Sequence, residues 1–237
     1  MKKPQLYLLH FAGGSIYSFE FLKPYLPEFE FIPLELPGRG KRIRENFIRD
    51  LDLAAMDIYR QVEKNLKGQR FLLYGHSMGS TLALKVAGLL EKRKASPLSI
   101  IVSGNAGPGV YDPKKRYLMD NTAFKAELRL IGGMPEEVLQ NEELLDFFEP
   151  LLKADFEIVE KEAFPIIPPI TAPIYAIMGT EEEHTSQIEN WSNYTSSDFE
   201  YELLEGNHFF IYKYPAQLAD IIKSRYEKYI ALTPPAQ

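Results

Sequence analysis

The chain has 237 residues, 45% of them hydrophobic, which is enough to bury a full core in one large domain or two small ones. Its 27 basic and 33 acidic residues leave a formal charge of −6, which argues against a surface given over to phosphate binding. There is no cysteine, so disulfides, thiolate metal sites and a cysteine nucleophile are excluded, and a reducing compartment fits.

In chain order, the apolar run at residues 5–9 reads as a buried strand and residues 29–36 as a second. The first run is too short for the core of a signal peptide, and no small-residue cleavage site follows it. No stretch approaches the ~20 apolar residues of a membrane span. The expectation is a soluble cytoplasmic protein. Residues 51–66 carry Leu51, Ala54, Ala55, Ile58, Val62 and Leu66 on one helical face. A strand at 70–74 leads into a helix over 77–90. Further strands are expected at 99–103, 174–178 and, shorter, 201–204. A closing helix spans 215–229, with proline in its first turn. Strands alternating with helices predict an α/β fold with a mainly parallel central sheet flanked by helices.

About seventy residues between the strands at 99–103 and 174–178 carry no strand signal. Gly107-Pro108-Gly109 opens this region, Pro165 to Pro173 closes it, and residues 121–163 read as several short helices. A structureless loop of that length would count against the assignment, whereas a helical insertion over the end of the sheet does not. The expectation is one domain over 1–237, with the insertion at roughly 107–165 and a frayed tail at 232–237.

The chemistry centres on Gly75-His76-Ser77-Met78-Gly79, which lies where a strand gives way to a helix. That context fits the nucleophile elbow of α/β-hydrolases, in which a strained serine stands proud of the sheet and flanking glycines permit a tight turn. The alternative is a glycine turn with a surface serine. In this fold the serine is followed by an acid and then a histidine. Among the four histidines, His208 sits after the last strand with room for an acid upstream; its plainer reading is a packing histidine beside Phe209 and Phe210. The acid should follow the strand at 174–178, where the chain reads Gly179-Thr180-Glu181-Glu182-Glu183. Asp198 stands too close to the next strand, so the acid is a glutamate, and all three remain candidates. One oxyanion donor is the amide after the nucleophile, Met78. The other comes from the loop after the first strand, His10-Phe11-Ala12-Gly13-Gly14-Ser15.

Taken together, HFAGGS, ELPGRGKR, YGHSMG, the inserted stretch from Leu128 to Glu160 with its GG-x-P and KADF, Trp191 and EGNHFF resemble the type II thioesterases that accompany nonribosomal peptide and polyketide synthases. Their relatives include the vertebrate fatty-acid-synthase thioesterase of medium-chain release. The resemblance covers nearly the whole chain, and the inserted stretch is its most discriminating piece. It implies that Ser77 attacks an acyl thioester, that His208 takes the proton and later activates water, and that Ala12 and Met78 donate to the oxyanion. It places the acid three residues after Gly179, at Glu182, where the family has aspartate. It further implies a helical lid over an acyl chamber, a carrier protein bearing phosphopantetheine as partner, a monomer, and no cofactor.

The basic clusters Arg39-Gly40-Lys41-Arg42-Ile43-Arg44 and Lys114-Lys115-Arg116 read either as solvated loops or as a face that steers an acidic carrier. Rival readings are a carboxylesterase or an acyltransferase with the same triad, and a non-catalytic binding module on this fold. Metal and nucleotide readings fail: no two histidines stand at helical spacing, and GHSMGST lacks the spacing and lysine of a phosphate loop. Neither nucleic acid nor membrane is an expected partner.

Overall fold

The uninterrupted apolar runs form strands covered on both faces, as a parallel sheet requires. The computed structural model describes residues 3–68, 70–110, 114–134, 136–161, 163–165 and 167–232. Six strands, β1 (Gln5–Leu9), β2 (Glu30–Leu34), β3 (Phe71–His76), β4 (Ser99–Ser103), β5 (Ile174–Gly179) and β6 (Phe199–Leu204), pair in the order β2-β1-β3-β4-β5-β6. Every pairing is parallel. β1, β3 and β4 are wholly buried, whereas the edge strands β2 and β6 are largely half-exposed. Pro33 lies in β2, an edge strand, where a missing backbone donor is tolerated.

Because side chains alternate along a strand, each strand feeds two cores. Tyr7, Leu9, Phe71, Leu73, Ile100 and Val102 pack with α1 (Leu51–Asn65) and α2 (Met78–Glu91). Leu6, Leu8, Leu72, Tyr74, Ile101 and Ile177 pack with α6 (Pro215–Ile230) and with Phe19 and Leu22. Asp50 caps α1 by accepting from the Leu53 amide at 2.8 Å.

The stretch between β4 and β5 is helical: α3 (Asn121–Ile131), α4 (Glu136–Gln140) and α5 (Glu142–Glu160). The expectation of several short helices needs correction at α5, which runs for 19 residues through Pro150. Its amphipathic face outweighs one missing backbone donor: Leu145, Leu151, Leu152, Ala154 and Ile158 are all buried. Phe124, Leu128, Leu139, Leu145 and Leu152 give these helices a small core of their own. Among the described residues no helix is long and apolar enough to cross a membrane. Of the tail expected to fray, residues 233–237 lie outside the described residues.

Candidate active site

The sheet order reverses between β1 and β3, so the connections leaving their C-terminal ends part company and a crevice opens there, the usual ligand site of such sheets. Here it is a cavity of about 890 Å³, lined from below by Ala12, Ser77, Met78 and His208 and from above by side chains of α3 and α5.

Ser77 joins β3 to α2 with φ 55° and ψ −117°, a conformation that costs a non-glycine residue on the order of 1–3 kcal/mol. The surrounding hydrogen bonds hold it there. The Ser77 amide donates to the Ser103 carbonyl at 2.8 Å. Ser80 Oγ lies 2.9 Å from both the Gly75 and Ser103 carbonyls, tying β3 to β4 beneath the turn. Asn105 Nδ2 donates to the Ser77 carbonyl at 3.3 Å. The glycines on either side answer to crowding: a Cβ on Gly75 would collide with the Gly79 carbonyl, and one on Gly79 with the carbonyls of Leu9 and His10. The turn therefore crosses the exit of β1 at backbone contact. The Ser77 hydroxyl makes no hydrogen bond to the described chain and stands at the N-terminus of α2, where backbone amides point outward. The amides of Met78 and Ala12 also lack partners there, and both residues line the cavity.

His208 follows β6. Its Nδ1 donates to Glu182 Oε2 at 2.7 Å, which leaves Nε2 as the basic ring nitrogen. Glu182 Oε1 accepts the Gly179 amide at 2.7 Å, so both carboxylate oxygens are engaged. A turn closed by the Glu182 amide on the Gly179 carbonyl aims this side chain inward. Glu181 is exposed, and Glu183 is exposed with an ion pair to Lys114 at 3.6 Å.

The other histidines lie elsewhere. His76 is buried, bonded through Nδ1 to Ser103 Oγ at 2.8 Å, and packs against the His208 ring at 5.0 Å between centroids. Burial, and then the neighbouring His208, push its pKa well below the usual imidazole range. It therefore supports His208 as a neutral ring. His10 accepts the Leu36 amide on Nε2 and donates from Nδ1 to the Phe11 carbonyl. Burial, with Arg39 nearby, holds its pKa down at about 4. His184 is hydrogen-bonded to Gln187 at the cavity edge.

Four of the seven basic residues in the two clusters are paired, while Lys41, Arg44 and Lys115 are exposed. Arg39 is 5% exposed and forms a bidentate ion pair with Asp155. Arg42 is shared between Glu45 and Asp57, Lys114 pairs with Glu127, and Arg116 pairs with Glu127 and Glu160. Apart from Glu45, the carboxylates that hold these four come from more distant sequence, which local charge counting does not reveal. Sequence reasoning also missed Glu35, buried, which accepts the Ile16 amide at 3.3 Å and the Lys41 amide at 2.9 Å and so ties the loop after β1 to the loop after β2. The available signal was the motif ELPGRGKR, of which Glu35 is the first residue and to which no role was assigned for the glutamate.

The thioesterase domain model matches residues 4–226. The medium-chain S-acyl fatty acid synthase thioesterase of Rattus norvegicus is 33% identical, over 85% of this chain and 79% of its own length. A protein of Brevibacillus parabrevis named linear gramicidin dehydrogenase LgrE is 29% identical, over 95% of this chain and 88% of its own. Its name points to a different activity from that of the matching family. The type II thioesterase BorB from the borrelidin biosynthetic cluster superposes with a TM-score of 0.87 at 27% identity, covering 95% of this chain and 93% of that one. With that family model spanning nearly the whole sequence, on a six-stranded parallel sheet of the α/β-hydrolase type, the chain belongs to the thioesterase family and is a thioester hydrolase.

Proposed function

We propose that the protein hydrolyses acyl groups from the phosphopantetheine arm of carrier proteins through an acyl-enzyme on Ser77. One observation carries the assignment of roles: the Glu182–His208 hydrogen bond opens onto the same cavity as Ser77 and two unpartnered amides. His208 Nε2 takes the Ser77 proton as Oγ bonds to the thioester carbon. The carbonyl oxygen, now negative, is received by the amides of Ala12 and Met78. The tetrahedral adduct collapses, the C–S bond breaks and the thiolate leaves, protonated by the imidazolium. Water then repeats the sequence on the acyl-enzyme, with His208 as base, and releases the acid. Glu182 orients the ring and stabilises its charged form. The approach of Ser77 to His208 tightens when substrate enters, as catalytic hydrogen bonds commonly do.

A thioester suits this equipment, since a thiolate is a far better leaving group than an alkoxide or an amine and leaves with little assistance. α3 to α5 act as the lid of an acyl chamber, giving its upper wall the apolar Leu128, Ile131, Leu152 and Phe156 beside Glu127 and Glu160. The relation to BorB supports service to a biosynthetic synthase. We place the enzyme in the cytoplasm, as a monomer.

The test is release of an acyl group loaded on a phosphopantetheinylated carrier by wild type, Ser77→Ala and Glu182→Gln. Loss of most activity in both variants is expected. Retained activity in Ser77→Ala overturns the nucleophile, and retained activity in Glu182→Gln overturns the acid. A wild type inert on every acyl carrier, but active on matched oxygen esters, makes the protein a carboxylesterase in practice.

A further inference from the structure

The loop that bears the Ala12 amide is held from an unexpected quarter. Gly13, at φ 76°, donates its amide to Asp155 Oδ2 at 2.8 Å. The same oxygen accepts Arg39 Nη1 at 2.6 Å, and Asp155 Oδ1 accepts Arg39 Nη2 at 2.6 Å. Arg39 Nη1 also donates to the Gly14 carbonyl at 3.1 Å. Asp155 is fully buried and belongs to α5, inside the insertion; Arg39 follows β2. A Cβ on Gly13 would collide with Leu152, one helical turn before Asp155, so α5 touches the loop twice.

From this we infer that Asp155 and Arg39 are positioning residues for catalysis: together they clamp Gly13 and Gly14 so that the neighbouring Ala12 amide faces the developing oxyanion. The inference rests on the roles given above to Ser77 and Ala12. A buried ion pair contributes little net stability over a packed apolar pair, so stability alone is a weak reason for this one. Its geometry spends two hydrogen bonds on two consecutive loop residues, one at the Gly13 amide and one at the Gly14 carbonyl. A carboxylate serving only to neutralise Arg39 would not need the Gly13 amide. Because the Gly13 amide and the carboxylate are joined directly, a shift of α5 at residue 155 becomes a shift of the oxyanion donor. Misplacement by about 1 Å costs on the order of 10²-fold in rate, and complete loss of one oxyanion donor 10²- to 10³-fold.

The experiment compares wild type, Asp155→Asn, the paired apolar replacement Arg39→Met with Asp155→Leu, and Ser77→Ala. Each is assayed for kcat and KM on an acyl thioester, for binding of an unreactive acyl thioether, and for inhibition by an acyl trifluoromethyl ketone that forms a tetrahedral adduct on serine. The clamp predicts that Asp155→Asn and the paired replacement lose roughly 10- to 100-fold in kcat and a similar factor in ketone affinity. KM and thioether binding should stay within about threefold. Wild-type kcat and ketone affinity in the folded paired replacement overturn the clamp, even if Asp155→Asn fails to fold. Equal losses in thioether and ketone binding also overturn it, since they mark general damage to the pocket. Undiminished turnover in Ser77→Ala instead overturns the reading on which the clamp rests.

Discussion

Two glycines of α2 sit nine residues apart and make opposite demands. Gly79 meets the carbonyls at the end of β1 so closely that no side chain fits, whereas a Cβ on Gly88 would reach ordinary van der Waals contact with Ile170. Gly79→Ala should therefore cost at least about 100-fold in kcat by pushing the Ser77 turn off β1. Gly88→Ala should stabilise the protein by about 0.5–1 kcal/mol through helix propensity, with activity unchanged. Urea midpoints and thioester turnover on the two variants check both; an active Gly79→Ala would mean the turn tolerates displacement. Residue by residue, legibility depended on range. The glycines and Ser77 announce themselves within five positions. The three glutamates after Gly179 are alike in type, and what separates them is a backbone turn that no spacing rule reads from within the chain. Arg39 and Asp155 are 116 positions apart, and each sits in a charged neighbourhood that reads as solvated surface.

At the scale of elements, strands and flanking helices were legible because apolar runs and 3.6-residue periodicity are local signals. β2 came out shorter than its apolar run: the chain leaves the sheet after Leu34, and Glu35 turns to hold the loop that follows β1. α5 was harder to read because Pro150 suggests a break that its buried face overrides. The insertion has a core of five buried side chains, with Phe124 fully buried among them. Phe124→Ala removes about 3–5 kcal/mol of packing from a cluster separate from the two sheet cores. Hydrogen exchange should show protection falling in α3 and α4 while β3 and β4 keep theirs. A uniform fall across the chain would mean that insertion and sheet unfold as one unit.

For the molecule as a whole, the buried neutral histidines make stability depend on pH. The pKa of His10 is about 4 in the folded protein against about 6.5 in an unfolded chain. Well above pH 6.5 neither state is protonated and the contribution is at its full value. As pH falls below 6.5 the unfolded chain binds a proton that the folded one refuses, so stability declines until about pH 4. Between pH 6.5 and 5 this amounts to about 1.6 kcal/mol. The difference between the urea stabilities at those two pH values should shrink by that amount in His10→Gln; an unchanged difference would show that His10 carries no such term. The overall architecture, an α/β sheet with a helical interruption, was readable because the interruption left a gap in an otherwise regular alternation.

The carboxylate of Asp155 sets a rule for anyone who would rebuild this enzyme. The region between β4 and β5 looks like a cassette, bounded by Gly107 and Pro173 and internally packed, and thus suited to exchange with that of another thioesterase to change the chain length accepted. It is not self-contained. A transplanted cassette without an acid at this register would strand Arg39 in the interior without its counter-ion and release Gly13. Chimeras should therefore be designed around the pair, with residue 39 and residue 155 moved together, and a graft that folds but turns over slowly should be repaired first at those two positions.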